Sequence, residues 1–479
     1  MIMIFFNRYK NLPKPLKASF WAIVCSIVQK CISFITTPIF TRLLTPEQFG
    51  LCNIYDSWYM IILLFTSLNV FQNGFNNAMI KYGNRKDEYI SSIQCLVALI
   101  AALFGLIAVL CYKLFHEITS LPMSCLIILV VELIFVPAYS LWIAKSRFDY
   151  NYIPVIIGTL FISFFSPVLG IILIKATNRK AEAKIISFAV IQILVGIVAF
   201  ILNCKRGKKL YDKDMWNYTF RLNIPLIPYY LSSIILSQAD RIMINNQCGA
   251  RETAFYSLAY TLSLIMTIVS NSINQSLIPF IYKRINSRNI SGIDRIVNIS
   301  CLVVGAMNMI IIFLGPELVG FFGTNEYISA KWVIPPVSIS VYFIFLYQMF
   351  SLIQLYFGKT RSMATASVFV AVLNIILNYF SINQFGYIAA GYTTLISYMV
   401  LTIVYYFVYR KTIYRKRIIG IYNIKYIVNS SLIILSCLFL SLFLYSLDDV
   451  LRYMALFAVV CILFIFKNKI VDGIRIVKN

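Results

Sequence analysis

A lysine stands in the middle of an apolar run. The stretch Phe20–Leu51, FWAIVCSIVQKCISFITTPIFTRLLTPEQFGL, carries Gln29 and Lys30 near the centre of what its length makes a membrane span. A cation at the centre of a bilayer costs on the order of 2.5–3.5 kcal/mol, so Lys30 is expected to face a partner or a water-filled cavity rather than lipid. Further charges interrupt other apolar runs: Asp56 near the start of the second, Glu132 in the fourth, and Asp240-Arg241 in the seventh. Such residues mark a substrate or ion pathway, or else form structural ion pairs or snorkel to the interface.

The surplus of positive over negative charge suits an anionic ligand. A phosphate or diphosphate cannot cross hydrocarbon unaided, and Lys30 or Arg241 would hold it by charge-assisted hydrogen bonds. Asn271, Asn274 and Gln275 recur at spacings of three and four and so share a helical face. That face would touch sugar hydroxyls, or would hydrogen-bond a neighbouring helix. Pro38, Pro225, Pro228 and Pro279 are expected to bend spans around a cavity.

Covalent chemistry has no foothold in the sequence. There is no GxxxxGK[ST] phosphate loop, no HExxH and no GxSxG, and the single histidine, His116, falls at the outer end of the third span, where it reads as interfacial. The 11 cysteines are scattered singly through apolar segments, without a CxxC pair, and predict neither disulfides nor a metal site. The chain is expected not to be an enzyme and to carry no cofactor.

The elements that must position these residues are membrane helices. The chain has 479 residues, is 60% hydrophobic and only 13% charged, against about 25% charged in a soluble protein. At about 20 apolar residues per span, the runs are 18–40, 50–72, 90–112, 122–143, 152–174, 184–203, 222–246, 253–280, 293–314, 332–356, 362–382, 387–409, 425–446 and 450–467. The basic N-terminal segment resembles a signal peptide, but the first run is too long, contains Lys30 and lacks a cleavage site, so a retained helix is expected.

A net charge of +24 would suggest nucleic acid in a soluble protein; here it maps to the connections. Of 42 Lys and Arg, 31 fall on one side and 10 on the other, with Lys30 inside a span. The positive-inside rule then puts both termini in the cytoplasm. The connection 175–184, KATNRKAEAK, is basic on the nominal outside, so it either samples a helix end or marks a miscounted span.

The chain also resembles itself at an offset of 205 residues. The elbow Thr45-Pro46-Glu47-Gln48-Phe49, with Tyr55 beyond it, falls on Ala250-Arg251-Glu252-Thr253-Ala254 with Tyr260 beyond it. Each elbow follows the first span of a six-helix set. The expected fold is therefore an all-α integral membrane protein of about fourteen spans. It comprises an N-terminal lobe (1–203), a basic cytoplasmic linker (204–221), a C-terminal lobe (222–409) in pseudo-twofold parallel repeat, and two added helices with a basic tail (410–479).

The opening through Thr41-Arg42-Leu43-Leu44-Thr45-Pro46-Glu47-Gln48-Phe49-Gly50 resembles the first helix and elbow of bacterial polysaccharide-export flippases. These O-antigen and capsule repeat-unit translocases belong to the superfamily that also holds multidrug extruders and the lipid II flippase. Pro225-Leu226-Ile227-Pro228, Asp240-Arg241-Ile242-Met243-Ile244, Gly315-Pro316-Glu317-Leu318 and Gly386-Tyr387-Ile388-Ala389-Ala390-Gly391 are similar to the family too.

The resemblance implies a two-lobed, V-shaped bundle in the inner membrane that carries an undecaprenyl-diphosphate-linked glycan outward by alternating access. Its expected partners are that glycan, membrane lipid, and a polysaccharide polymerase with other export components, not nucleic acid. On this reading Lys30, Arg241 and Arg42 neutralise the diphosphate. Glu132, Asp56 or Asp240 bind a coupling cation, Na+ or H+. The rivals are a cation-coupled drug extruder on the same fold and a polytopic polysaccharide polymerase or ligase.

Overall fold

The computed structural model describes residues 13–416, 420–447, 449–468 and 471. Among them every regular element is helical. Twelve helical stretches are long and apolar enough to cross a membrane, so this is a multi-pass membrane protein. Two more helices fill the places of the remaining expected spans. Ile227–Gln247 is made more polar by Gln238, Asp240, Arg241 and Asn245, and Asp449–Ile465 has only 17 residues. The chain divides into two compact units, Met1–Ile234 and Ile235–Asn479.

In the first unit, α1 (Lys14–Leu43) packs on α7 (Tyr152–Ala176), and α6 (Met123–Phe148) packs on α8 (Lys180–Gly207). Between α1 and α6 lie α2 (Pro46–Ser67), the short α3 (Asn73–Lys81), α4 (Lys86–Leu110) and α5 (Tyr112–Thr119). The α6–α8 approach is close because of Gly196, where a Cβ would stand 2.6 Å from the Phe135 carbonyl oxygen. Asn203 reinforces the pair, its Nδ2 donating to the Ala138 carbonyl at 3.2 Å.

Two local expectations resolve here. The elbow after α1 is a reciprocal cap: Thr45 Oγ1 accepts from Gln48 N, and the Gln48 side chain accepts from Thr45 N at 3.1 Å. The basic connection 175–184 samples helix ends. α7 and α8 are both continuous, and Lys184 Nζ lies 4.6 Å from the Phe49 ring centre, so no span is miscounted.

The segment 204–221 is more structured than a linker. Asp212 caps α9 (Lys213–Asn223), Met215 is buried, and the Trp216 indole donates to Ser92 Oγ at 2.9 Å, which fixes α9 on α4.

In the second unit, α10 (Ile227–Gln247) continues from Ile235 into an elbow at Gly249, whose φ of +111° is open to glycine at little cost. There follow α11 (Ala250–Ser263), α12 (Ile265–Asn286), α13 (Ile293–Phe313), α14 (Gly315–Phe322), α15 (Ile334–Tyr356), α16 (Thr360–Phe385), α17 (Ile388–Arg415), α18 (Ile424–Leu444) and α19 (Asp449–Ile465). α15 is the core helix, with Tyr342, Phe345 and Ile353 buried, and it packs on α13 and α17.

Arg452 of α19 is buried and pairs with Glu317 of α14 and with Asp449 at 2.9 Å. The Tyr453 hydroxyl also donates to Glu317, at 2.6 Å. This clamp is what the Gly315-Pro316-Glu317-Leu318 motif contributes here.

The prolines divide by position. Pro38 and Pro279 lie inside helices, whereas Pro225 sits in a 3-10 turn and Pro228 in the first turn of α10. The latter pair therefore starts a span instead of bending one, because a first-turn proline removes no helical hydrogen bond. Exposed side chains such as Leu106, Phe164, Ile172, Phe380 and Phe407 leave on each unit the apolar surface that lipid would cover.

Candidate functional site

The candidate residues fall into three settings. Lys30, Arg42 and Asp56 are exposed on the first unit. Lys30 is engaged by no hydrogen bond or ion pair among the described residues. Its neighbour Gln29 lines a cavity of about 240 Å3 between α1, α6 and α7. Glu132 of α6 is buried instead and accepts a hydrogen bond from the Tyr55 hydroxyl of α2 at 2.7 Å.

The second setting surrounds Asp240, 1% exposed in α10. Its Oδ2 accepts from the Tyr256 hydroxyl of α11 at 2.5 Å and from Thr394 Oγ1 of α17 at 2.7 Å. Its Oδ1 accepts from Asn378 Nδ2 of α16 at 2.6 Å. Asn378 also donates to Asn374 Oδ1 at 3.3 Å and accepts from Thr393, while Asn374 donates to Ser397 at 3.2 Å. Four helices thus meet on one carboxylate. The sequence reading found Asp240 but none of these partners, though Asn374 and Asn378, four apart in an apolar run, already shared a face.

Arg241, beside it, is half-buried and committed. Its Nε donates to Ser257 Oγ at 3.1 Å, its Nη1 to Gln238 Oε1 at 2.7 Å and to the Ser237 carbonyl at 3.1 Å. Its guanidinium carbon stands 4.9 Å from the Tyr260 ring centre. The proposed twofold counterparts therefore differ: Tyr55 serves a carboxylate, and Tyr260 a cation.

The third setting is the α12 face. Asn274 is buried and donates to Gln348 of α15, whose amide donates in turn to Asn271 Oδ1 at 3.4 Å. Two of the three amides thus join helices, while Asn271 keeps an exposed edge and Gln275 is exposed. The candidates Lys30, Arg42, Glu132 and Asp56 lie in one unit, and Arg241, Asp240, Asn271, Asn274 and Gln275 in the other.

A multi-helix bundle with a carboxylate, amides and hydroxyls buried together among its spans is the build of a membrane transporter rather than of a structural anchor. The family can be stated. Residues 16–285, more than half of the chain, match the family model described as polysaccharide biosynthesis protein, and the chain belongs to that family. Residues 225–380 also match the MatE model.

The relatives and structural neighbours agree. An uncharacterized membrane protein of Haemophilus influenzae is 21% identical over 348 residues, spanning 71% of this chain and 83% of the relative. The Lsg locus putative protein 1 of the same organism is 20% identical over 372 residues, spanning 75% and 89%.

Among solved structures, the lipid II flippase MurJ in an inward closed conformation superposes with a TM-score of 0.72 at 14% identity, covering 94% of this chain and 99% of that one. An inward-facing multidrug resistance MATE family transporter of the MOP superfamily superposes at 0.60 and 13%, covering 82% and 96%. These neighbours establish the fold, and they are a flippase and a transporter, not enzymes.

Proposed function

We propose that this protein is a flippase that moves a polyprenyl-diphosphate-linked oligosaccharide from the cytoplasmic to the outer leaflet of the bacterial inner membrane. It does so by alternating access and without covalent chemistry of its own. The observation that carries this reading is the fold shared with the lipid II flippase over nearly the whole chain, in a member of the polysaccharide biosynthesis family. The sugar head passes through a polar, cationic path while the lipid tail stays in the bilayer. Lys30, open on α1, is the first diphosphate ligand. Arg42 assists, and Arg241 contributes only the part of its guanidinium not already bonded. Asn271 and Gln275 meet sugar hydroxyls. Both termini are cytoplasmic, by the Lys and Arg asymmetry.

Coupling is assigned to the Asp240 cluster. A hard cation takes oxygen ligands, and Asp240, Thr394, Asn374 and Asn378 bring a carboxylate, a hydroxyl and two amides together in a buried place. The residues fit Na+, and the carboxylate also fits H+. Glu132 and Asp56 are the alternative coupling positions in the first unit.

The test is surface glycan at matched protein level. Lys30→Ala is expected to lower export at least tenfold and Lys30→Arg to retain most of it, because a guanidinium keeps the charge. Undiminished export in Lys30→Ala removes Lys30 from the mechanism. For coupling, Na+ is expected to raise the thermal unfolding temperature of the purified protein, and Asp240→Asn to abolish that rise while Glu132→Gln preserves it. The reverse pattern moves the ion to Glu132.

The MatE match over 225–380 favours one second reading, a cation-coupled multidrug extruder on the same fold. Drug efflux by the protein in cells lacking their own extruders, with glycan export unaffected by its deletion, would favour it.

A further inference from the structure

Around the start of α4 and the last turn of α6 the cations are nearly all accounted for. Lys81 stands 3.8 Å from the Tyr218 ring centre, Arg85 pairs with Glu88 at 2.8 Å, Lys86 with Asp149 at 3.6 Å, and Lys145 with Asp87. Arg147 is the exception. Its side chain is exposed and has no hydrogen bond or ion pair among the described residues.

It also lies between two cavities. One, of about 960 Å3, is formed by the turn before α3, by α3 and by the last turns of α6; the other is the 240 Å3 cavity beside Gln29. Arg147 and Tyr150 line both, and among the described residues neither is lined by a carboxylate. The larger cavity adds the amides of Gln72 and Asn76, the hydroxyl of Ser140, and the rings of Phe71 and Phe148.

The turn that carries the shared pair is strained. Tyr150 has φ +54°, a left-handed conformation that costs a bulky side chain about 1–2 kcal/mol. Asn151 N, bonded to the Ser146 carbonyl at 2.7 Å, and Tyr150 N, bonded to the Arg147 carbonyl at 3.1 Å, hold it. A left-handed residue of this kind commonly closes a helix end. Here it keeps the phenol at the junction of the two cavities.

We propose that this junction is a binding site for a phosphate ester, with Arg147 as its phosphate ligand. The amides and rings of the larger cavity hold the polar group that the phosphate carries. An unpaired guanidinium forks onto phosphate oxygens. Amides with aromatic rings suit a sugar, and a volume near 1,000 Å3 lies at the upper end of those that enclose small ligands. The site is distinct from Lys30, which lines neither cavity. The geometry alone carries the phosphate chemistry. Only the choice of lipid-linked glycan over phospholipid as its source rests on the flippase reading.

The experiment titrates the purified full-length protein in detergent with geranyl diphosphate, inorganic pyrophosphate and dioctanoyl phosphatidylglycerol, followed by isothermal calorimetry. Geranyl diphosphate is expected to bind, with Kd raised at least tenfold in Arg147→Ala, partly restored in Arg147→Lys, and changed less than twofold in Lys30→Ala. Gln72→Ala is expected to weaken binding of a glycosylated prenyl diphosphate more than that of geranyl diphosphate.

If the Arg147-dependent ligand is phosphatidylglycerol, the site stands and its source is the membrane. If pyrophosphate binds as well as its geranyl ester, the site stands as one for free phosphate. Binding unchanged in Arg147→Ala, or no binding of any probe by the unaltered protein, overturns the site. Unfolding temperatures within a few degrees for all variants secure the comparison. Loss of glycan export is read separately in cells, so a failed flippase reading leaves the binding result standing.

Discussion

Two carboxylates buried to nearly the same depth are treated in opposite ways by the two units. Asp240, 1% exposed, receives hydrogen bonds from α11, α16 and α17. Glu132, 3% exposed, receives one among the described residues, from Tyr55. The cations follow suit: Arg241 is bonded on both Nε and Nη1, whereas Lys30 and Arg147 stand open. The second unit spends its polar side chains on one another and so fixes a geometry. The first pairs most of the cations on its rim and leaves the Lys30 and Arg147 side chains open to an anion.

The largest effect expected from this contrast is at Asp240. Asp240→Ala would orphan a phenol, a hydroxyl and an amide in a site closed to water. Each buried donor left unmade costs about 1–3 kcal/mol, so a loss of about 3–5 kcal/mol is expected. Glu132→Ala orphans one phenol and is expected to cost about 1–3 kcal/mol. Thermal unfolding of the purified variants, calibrated by denaturant, reads both. Equal losses would break the comparison and give Glu132 partners that this structure does not show.

The clamp on α19 sharpens it. The Arg452 side chain is 4% exposed and that of Glu317 35% exposed, so the two ends of the pair are not equivalent. Removing Glu317 leaves a buried guanidinium with Asp449 as its one remaining carboxylate among the described residues, whereas removing Arg452 leaves a carboxylate that water already reaches. Breaking a buried pair costs about 3–5 kcal/mol. Glu317→Ala is expected near the bottom of that range, and Arg452→Met at roughly half of it. A larger loss in Arg452→Met would mean that the apolar contacts of α19, not desolvation, set the cost.

Much of the fold was legible because span length and apolar composition act over whole helices. Runs of about 20 apolar residues located twelve helical stretches and the two weaker helices, even though Asp240-Arg241 dilutes α10. The elbow after α1 was legible too, since a threonine three residues before a glutamine is a local capping signal.

The sites were legible only in part. A charge in an apolar run announces itself, so Asp240 and Glu132 stood out, but their partners are uncharged and distant in sequence. Thr394 lies 154 residues from Asp240, and nothing in its own stretch marks it. Arg147 was hidden for another reason. It falls in the sequence between two apolar runs, where topology explains any cation, and only the pairing of its neighbours in the last turn of α6 and at the start of α4 sets it apart.

The smallest expected effect is on the rim of the first unit, where Asp212 is 11% exposed and water screens its partners Arg85 and Lys209, 48% and 39% exposed. Asp212 Oδ1 accepts from Asp214 N at 3.0 Å and Met215 N at 3.1 Å, capping α9, and Oδ2 meets Lys209 at 2.6 Å and Arg85 at 3.1 Å. The hydrogen bond from Lys209, then that from the Met215 amide, lower its carboxyl to about 2 from the ordinary 3.8. Because the folded value is depressed, the contribution is present above about pH 4 and is lost as pH falls toward 2. Asp212→Ala removes cap and charge and is expected to cost about 1 kcal/mol. Asp212→Asn keeps a capping oxygen and should cost less, and high salt should narrow the gap between them. Hydrogen exchange at the Asp214 and Met215 amides reads this directly. Exchange in Asp212→Asn as fast as in Asp212→Ala would show that the ion pairs, not the cap, hold α9, and would make this rim behave more like the buried clamp of the second unit than its exposure allows.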